Sequence, residues 1–379
     1  MEIGRLSRSL LITLLLTTGL SMQGQGQNFL VKYLNHTLKD TSDPAKPKFI
    51  AYPTLAFAPE TSWEFGVSGL LVYRAKQDTL NRLSEVKTFS FVTLEQQYGT
   101  MLDHALYTDK NRFFLLGELK FQNFPLSYFG IGPEARAENP ATVHAVELKF
   151  RERFLYQFAP SLFTGFELDF QRLAQVDFEW PDGLAQSNPL GSNGSANLSL
   201  GWGILYDNLH NVLNPRHGKY LELAFLNSNT RWGSGYSFNL VVSDFRFYTP
   251  IKKRNVLAIQ AYGQFGTGDL PFNQLSLMGG ERLMRGYYLG RYRDKNIMAG
   301  QVEYRMLPFS FAKRWGASVF ASAGSVFPSF NQYTQSPIVW AAGFGPRFLI
   351  FPKKDVYNRF DVAFTSEGMG FYFFIGEAF

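Results

Sequence analysis

The chain has 379 residues, a length that fits either two or three ordinary domains or one large β-barrel. It contains no cysteine, which excludes a disulfide framework, thiol chemistry and a lipid-modified cysteine. The net charge of +6 comes from 37 basic and 31 acidic residues spread along the chain, so no basic patch indicates nucleic-acid binding. Aromatic residues reach 17% and hydrophobic residues only 45%, a balance typical of a wall that is apolar on one face. Beyond the N-terminus no apolar window of about 20 residues occurs, which excludes a bundle of membrane helices.

The N-terminal segment has the pattern of a secretory signal peptide, predicted to cover residues 1–26. Arg5 and Arg8 supply the positive charge, and an apolar run over 10–20 follows that is too short to cross a bilayer. Residues 27–48 are polar and are predicted to form a short periplasmic lead-in. Residues 49–379 are predicted to form one domain.

That domain is predicted to consist of β-strands with one polar and one apolar face. Apolar and charged or polar side chains alternate over residues 113–124, 146–151 and 166–171. Charges on every second residue are expensive against lipid but acceptable in a wet lumen. A soluble sandwich would turn the apolar face inward instead, and periodicity alone does not separate the two. The signal sequence, the aromatic content and strands of ten or more residues favour a transmembrane antiparallel β-barrel.

Turn residues divide the domain into sixteen predicted strands. They cover residues 49–58, 62–74, 86–96, 99–107, 111–124, 142–157, 161–180, 195–207, 218–229, 236–249, 255–266, 298–307, 313–324, 337–351, 356–366 and 369–379. An even number agrees with bacterial single-chain barrels. With both termini in the periplasm, the longest connections face outward and most inner ones are short, although the inner turns at 75–85 and 208–217 are long.

The longest connection joins predicted strands eleven and twelve and carries the most informative motif. It is rich in Arg, Tyr and Gly, a composition that favours docking over disorder. Its core, Met284-Arg285-Gly286-Tyr287, resembles the Arg-Gly-Tyr/Phe signature of the BamA/TamA-like outer-membrane superfamily of protein insertases and translocases, also called the bacterial surface antigen family. The resemblance implies a sixteen-stranded barrel whose loop folds into the lumen, where its arginine meets acidic residues of the inner wall.

The resemblance also implies a lock between this loop and the wall. Arg285, Gly286 and Tyr287 are the candidate loop residues, and Glu303 is the candidate partner because it shares the lumen face of its strand with Arg305. Candidate supporting residues are Gly279, Gly280, Arg291 and Arg293. The second acid of the family lies in a Phe-x-Asp-x-Gly pattern, which is occupied here by Ser322, so we expect only one of the two usual carboxylates. Without the motif, the arginines would be interpreted as solvated surface charges.

Further segments resemble the same family. Residues 206–220 match its periplasmic turn, with Asp207, Pro215 and Gly218 as the turn residues. Residues 128–132 match an outer rim turn. The C-terminal run ends in Phe379, which resembles the recognition signal for barrel assembly. The family usually carries periplasmic polypeptide-transport-associated domains, and residues 27–48 are too few for even one.

The predicted barrel seam is weak. Pro53 in the first strand and Pro59 after it lack backbone donors, and Gly368, Gly370 and Gly376 weaken the last strand. The resemblance therefore implies insertion or translocation of client proteins through the seam, helped by a separate periplasmic partner, in the bacterial outer membrane. The alternative is a passive pore or structural surface barrel.

An enzyme is the less favoured interpretation. The five histidines show no metal-ligand spacing and no Gly-x-Ser-x-Gly motif occurs, so neither a metal nor another cofactor is expected. An outer-membrane lipase with His144 near the lipid is the remaining enzyme alternative.

Overall fold

A computed structural model describes residues 45–58, 62–181, 188–252 and 254–379. The predicted signal peptide and almost all of the predicted lead-in lie outside these residues. The strands are β1 (Lys48–Ala58), β2 (Ser62–Arg74), β3 (Leu83–Thr93), β4 (Tyr98–Tyr107), β5 (Phe113–Asn123), β6 (Leu126–Tyr128), β7 (Ala141–Ala159), β8 (Leu162–Glu179), β9 (Ser195–Asp207), β10 (Gly218–Ser228), β11 (Phe238–Ile251), β12 (Asn255–Gly268), β13 (Ser276–Met278), β14 (Tyr292–Asp294), β15 (Asn296–Met306), β16 (Trp315–Phe327), β17 (Val339–Phe351), β18 (Val356–Thr365) and β19 (Gly368–Ile375). Short 3-10 helices lie at Ala75–Gln77, Asp109–Asn111, Thr230–Trp232 and Phe330–Gln335. In the part of the chain that the structure describes, no helix is long and apolar enough to cross a membrane.

All strands except β13 and β14 belong to one antiparallel sheet of 17 strands. The sequence predicts sixteen strands, and the difference is β6. It follows β5 after Pro125, which has no N–H to donate, and pairs with the same neighbour, β7. The predicted start of the third strand also moves, from residue 86 to Leu83, and the last strand ends at Ile375 rather than at 379.

The sheet curls into a barrel, because residues on distant strands meet across its inner face. Arg153 on β7 lies 2.6 Å from Glu222 on β10, and Arg82 at the start of β3 lies 2.9 Å from Asp207 at the end of β9. Consecutive strands are joined by registers of paired residues from β1 round to β19. Among the described residues, no such register joins β1 to β19.

The two faces of the sheet follow the predicted alternation. Phe150 and Phe166 lie on the outer face, and each is more than one-third exposed. Such exposure is expected of a side chain that would contact lipid in the membrane. Their neighbours Glu167 and Asp169 point inward and are buried. Outer apolar and inner polar residues are the arrangement of a membrane barrel.

The inner face of the barrel is apolar rather than polar at the end where β1 begins and β19 ends, which we call the lower end. Here the inward side chains form an apolar cluster that we call the lower plug. Its buried members include Phe114, Leu155, Phe163, Leu205, Leu209, Tyr220, Tyr248 and Phe379. A second cluster, with Ile50, Leu70, Leu213 and Phe351, adjoins it through Val212. The long turn at 208–217 thus packs its apolar side chains across the mouth of the barrel.

Polar groups occupy the middle of the lumen. Gln260 on β12 donates to Asp244 on β11 at 2.8 Å, and Gln301 on β15 donates to Gln260 at 2.5 Å. Gln301 also donates to the backbone oxygen of Arg282 at 2.8 Å. This polar belt therefore links the wall to the loop that fills the upper part of the lumen.

Phe163→Ala tests whether the lower plug is a packed core. Phe163 is fully buried, so its truncation removes apolar burial and leaves a cavity, and we expect a loss of about 3–5 kcal/mol in the free energy of unfolding. The matched control is Phe166→Ala on the same strand, which faces outward and should cost only the transfer part, about 2 kcal/mol. Urea-driven unfolding in lipid vesicles, followed by tryptophan fluorescence, measures both. Equal losses would contradict a packed plug.

Candidate functional site

The long loop between β12 and β15, residues 269–295, lies inside the upper part of the barrel and contacts opposite walls. Gly132, in the connection between β6 and β7, forms an isolated antiparallel bridge with Arg293. The Tyr288 hydroxyl accepts a hydrogen bond from the Ser127 backbone at 3.2 Å. Arg282 contacts the same side of the wall, 3.1 Å from Asp103 on β4, whereas Arg285 contacts β15 and β18 on the other side. The loop is therefore a brace between walls.

Arg285 is the central contact of the loop, and its side chain is fully buried. Its Nη2 lies 2.6 Å from Glu303 Oε2 on β15, and its Nη1 lies 2.6 Å from Asp361 Oδ2 on β18. The guanidinium carbon lies 3.4 Å from the ring centre of Phe320 on β16. One planar cation thus holds two carboxylates at its edge and an aromatic ring at its face, an arrangement for which arginine is suited and lysine is not.

These contacts belong to a larger cluster of ion pairs, the lumen cluster. Arg347 on β17 lies 3.0 Å from Glu303, 2.7 Å from Asp361 and 2.9 Å from Glu377. Arg305 lies 3.2 Å from Glu303, and Arg359 lies 2.8 Å from Asp361. The members are Arg285, Arg305, Arg347, Arg359, Glu303, Asp361 and Glu377. Four guanidinium groups share three side-chain carboxylates, so the cluster holds one positive charge in excess of its acids.

The prediction that Arg285 has a single carboxylate partner is wrong, because Asp361 is a second one. Ser322 does replace the acid of the family pattern, and its hydroxyl donates to the backbone oxygen of Ala341 at 3.4 Å. The second acid comes instead from β18, two strands further round the wall. Phe320, the first residue of the same pattern, still contributes the ring under Arg285. The site therefore keeps two carboxylates on the arginine with one of them relocated.

Gly286 and Tyr287 fix the position of the arginine. Gly286 has φ +109°, and a Cβ there would lie 2.6 Å from Thr365 Cγ2 on β18, so only glycine fits this approach. Its N–H donates to the Tyr372 hydroxyl on β19 at 2.9 Å. The buried Tyr287 donates its hydroxyl to the backbone oxygen of Trp340 at 3.1 Å.

The predicted supporting residues lie in the same loop. Gly280 donates to the backbone oxygen of Tyr287 at 3.0 Å, and Gly279 adopts φ +116°. Arg291 lies 2.7 Å from Glu367 in the turn between β18 and β19. Solvated surface arginines are excluded, because Arg285, Arg291 and Arg293 are all buried.

Arg293 has no carboxylate among its described contacts. It donates to the backbone oxygens of Gly290 at 3.2 Å and Ser127 at 3.3 Å, and lies 4.9 Å from the ring centre of Tyr128. Burial lowers the pKa of Arg293 to about 10, which leaves the group charged at neutral pH. Carbonyl dipoles and an aromatic face thus compensate this charge.

The predicted turn residues lie at the lower end, away from the lumen cluster. The buried Asp207 accepts hydrogen bonds from the Tyr107 hydroxyl at 2.7 Å and from the Leu209 backbone at 2.8 Å. Pro215 is buried, and Gly218 starts β10 with φ +110°. The turn is also held to the turn between β17 and β18, since Arg216 lies 2.5 Å from Asp355.

Phe379 does not lie on a strand as predicted. β19 ends at Ile375, and Gly376, with φ +87°, turns the following residues into the lumen. The Phe379 ring then packs in the lower plug, and its backbone oxygen accepts a hydrogen bond from Arg305 Nη2 at 3.0 Å. Its role as an assembly signal stays a prediction.

Four members of the lumen cluster are not among the residues predicted from the sequence: Arg347, Arg359, Asp361 and Glu377. A signal was present, because Arg359 and Asp361 are two residues apart in a strand and share one face. Two charges on one face of an otherwise apolar strand indicate a lumen position. Within the described ranges, no group of three or more His, Asp or Glu side chains is placed to hold a metal ion.

Comparisons with known proteins agree on the fold. A family model described as the Omp85 superfamily domain matches residues 107–379. Similar solved structures are BamA from Haemophilus ducreyi lacking POTRA domains 1–3 (14% identity, TM-score 0.51) and CdiB from Escherichia coli (13% identity, TM-score 0.54). Each alignment covers 87% of this chain, and the chain spans 69% of that BamA structure and 62% of that CdiB structure. No curated protein matches the sequence.

A double-mutant cycle tests the charge balance of the lumen cluster. Asp361→Asn removes an acid that three guanidinium groups share, so the cationic excess grows, and we expect a loss of about 3–5 kcal/mol in the free energy of unfolding. Arg285→Gln should cost less, roughly 1–3 kcal/mol, because Arg305, Arg347 and Arg359 still pair with the acids. The double variant should lose less than the sum of the two.

Arg291→Gln is the control for this cycle, since the partner of this buried arginine, Glu367, lies outside the lumen cluster; the change should cost roughly 1–2 kcal/mol. Denaturant unfolding of the barrel in vesicles measures all four variants. Strict additivity of Asp361→Asn and Arg285→Gln would contradict a shared cluster.

Proposed function

The chain belongs to the Omp85 superfamily, as its resemblance to the BamA/TamA-like barrels implied, and from this premise we propose that it aids the insertion or translocation of client proteins at the bacterial outer membrane. The seam between β1 and β19 is the proposed point of entry. The single observation that carries the proposal is the weak backbone of these two strands, with Pro53 inside β1 and only eight residues in β19. The client, and a separate periplasmic protein that delivers it, are parts of the proposal.

The chemistry of the seam strands supports this choice of site. Pro53 lies in β1 opposite Val67 of β2 and has no N–H for either neighbour. β19 has only eight residues, begins at Gly368 and is followed by the turn at Gly376. Backbone groups that are weakly paired are costly in lipid, so an incoming strand that supplies better partners to these two strands is stabilised.

The contents of the lumen argue against the alternative of a passive pore. The long loop crosses the upper lumen and is fixed to β4, β15 and β18 by Arg282 and Arg285. The lower plug fills the other end with apolar side chains. An ion that follows the barrel axis would have to pass both, so transport along the axis is unfavourable and activity at the seam is the better-supported function. No catalytic residue is part of this proposal.

Closing the seam tests the proposal. The protein has no cysteine, so Ile50→Cys with Ile375→Cys introduces one defined pair between β1 and β19, whose side chains pack in the same apolar cluster. We expect the oxidised form to lose most of its ability to accelerate insertion of an unfolded client barrel into vesicles, and the reduced form to regain it. Ion current across the same membranes should stay small in both forms.

The matched control is Val362→Cys with Phe371→Cys, which joins paired residues of β18 and β19 and leaves the seam free. Its oxidation should not change client insertion. Client insertion that stays unchanged when the seam is cross-linked would contradict the proposed mechanism. A large steady ion current without client insertion would support the passive pore instead.

A further inference from the structure

The lower end of the barrel carries a basic and aromatic surface at the turns that join β11 to β12 and β15 to β16. We call it the basal rim and define it by Lys252 and Arg254 in the turn between β11 and β12, and by Phe309, Phe311, Lys313 and Trp315 in and after the turn between β15 and β16. We propose that the basal rim binds the headgroups of anionic phospholipids in the periplasmic leaflet. This proposal rests on the placement of the barrel in the outer membrane and not on insertion of clients.

The rim is one connected surface. Arg254 Nη1 donates to the backbone oxygen of Phe309 at 3.0 Å, and the backbone N–H of Leu307 donates to the backbone oxygen of Arg254 at 3.0 Å. The ring of Phe309 stacks on Phe311 with centres 5.0 Å apart. The ring of Trp315 lies 4.9 Å from that of Phe348 on the outer face of β17. The rim thus continues directly into the lipid-facing wall.

Exposed aromatic rings identify the environment of this surface. Phe311 is 84% exposed and Trp315 is 52% exposed, although both lie beside well-packed strands. Rings at the edge of a membrane wall are stable where lipid headgroups meet the acyl chains. A phenylalanine ring exposed only to the aqueous periplasm would have no stabilising apolar contact. The rings therefore favour lipid over an acidic protein as the occupant.

The positive charge of the basal rim favours lipids with anionic headgroups. Lys252, Arg254 and Lys313 are exposed, and none of them forms an ion pair within the described part of the chain. The only acid in the turns between β11 and β12, β15 and β16, and β17 and β18 is Asp355, which is already held by Arg216 at 2.5 Å. Three cations without acids attract anionic headgroups, and each cation near such a surface contributes about a fivefold increase in binding.

The opposite side of the lower end provides a comparison. There Lys76 lies 2.6 Å from Asp109, and Arg82 lies 2.9 Å from the buried Asp207, so part of the positive charge is neutralised. No ring there is as exposed as that of Phe311. Lys110 and Arg112 remain as exposed cations beside the same turn. This side therefore supplies a control with matched charge.

Native mass spectrometry of the delipidated full-length protein in detergent tests the proposal, with phosphatidylglycerol and phosphatidylcholine as probes. We expect the Kd for phosphatidylglycerol to be at least about tenfold lower than that for phosphatidylcholine. The variant K252S/R254S/K313S should raise the phosphatidylglycerol Kd about tenfold or more. The variant K252R/R254K/K313R keeps the charges and should stay within about twofold of the parent. Glycerol phosphate at equal concentration should not bind, which separates a lipid site from a phosphate site.

The control variant K76S/K110S/R112S removes the same formal charge from the opposite side and should change the phosphatidylglycerol Kd by no more than about twofold. Heat-modifiable electrophoretic mobility verifies that each variant is folded, and K313S alone, with an expected change of about fivefold, replaces the triple variant if that one does not fold. Equal Kd values for the two lipids, or an equal loss in the control variant, would overturn the proposal and leave an acidic protein as the occupant. Client insertion is measured separately, so failure of the lipid site leaves the seam mechanism unaffected.

Discussion

The buried guanidinium of Arg285 is the interaction on which the rest of the structure depends. It holds acids from β15 and β18 at 2.6 Å each, so a loop residue joins two strands that are not neighbours. A buried charge that loses its partner costs several kcal/mol, and the loop therefore remains in the lumen as long as the wall is intact. Arg347 on β17 lies against the same two acids, so one cluster of ion pairs links β15, β17 and β18.

The ion pairs and apolar clusters are distributed unevenly around the barrel. The upper lumen is occupied by the braced loop and the lower end by the apolar plug, so neither end offers a free path along the axis. Proline and glycine residues lie in β1 and β19, the first and last strands of the sheet, and weaken their backbone pairing. This contrast with the linked wall is what the proposed lateral exchange with the membrane would use.

Much of this architecture could be predicted from the sequence, because alternation and turn residues are local signals. They gave the strands, the faces of Glu167 and Asp169, and the inward position of Glu303. The signature motif added the loop and its arginine. The second carboxylate could not be predicted, since Asp361 is 76 residues from Arg285 along the chain and meets it only when the barrel closes. The inward turn at Gly376 was missed because the apolar residues around it fit a lipid-facing strand equally well, and the lower plug was missed because a turn that folds inward has no periodicity to detect it.

Hydrogen–deuterium exchange of the folded barrel in vesicles measures backbone pairing strand by strand and so compares the seam with the linked wall. If the seam is weak, backbone amides of β1 and β19 exchange much faster than those of β16 and β17, which lie within the linked part of the wall. Protection of β1 and β19 equal to that of β16 and β17 would contradict a weak seam.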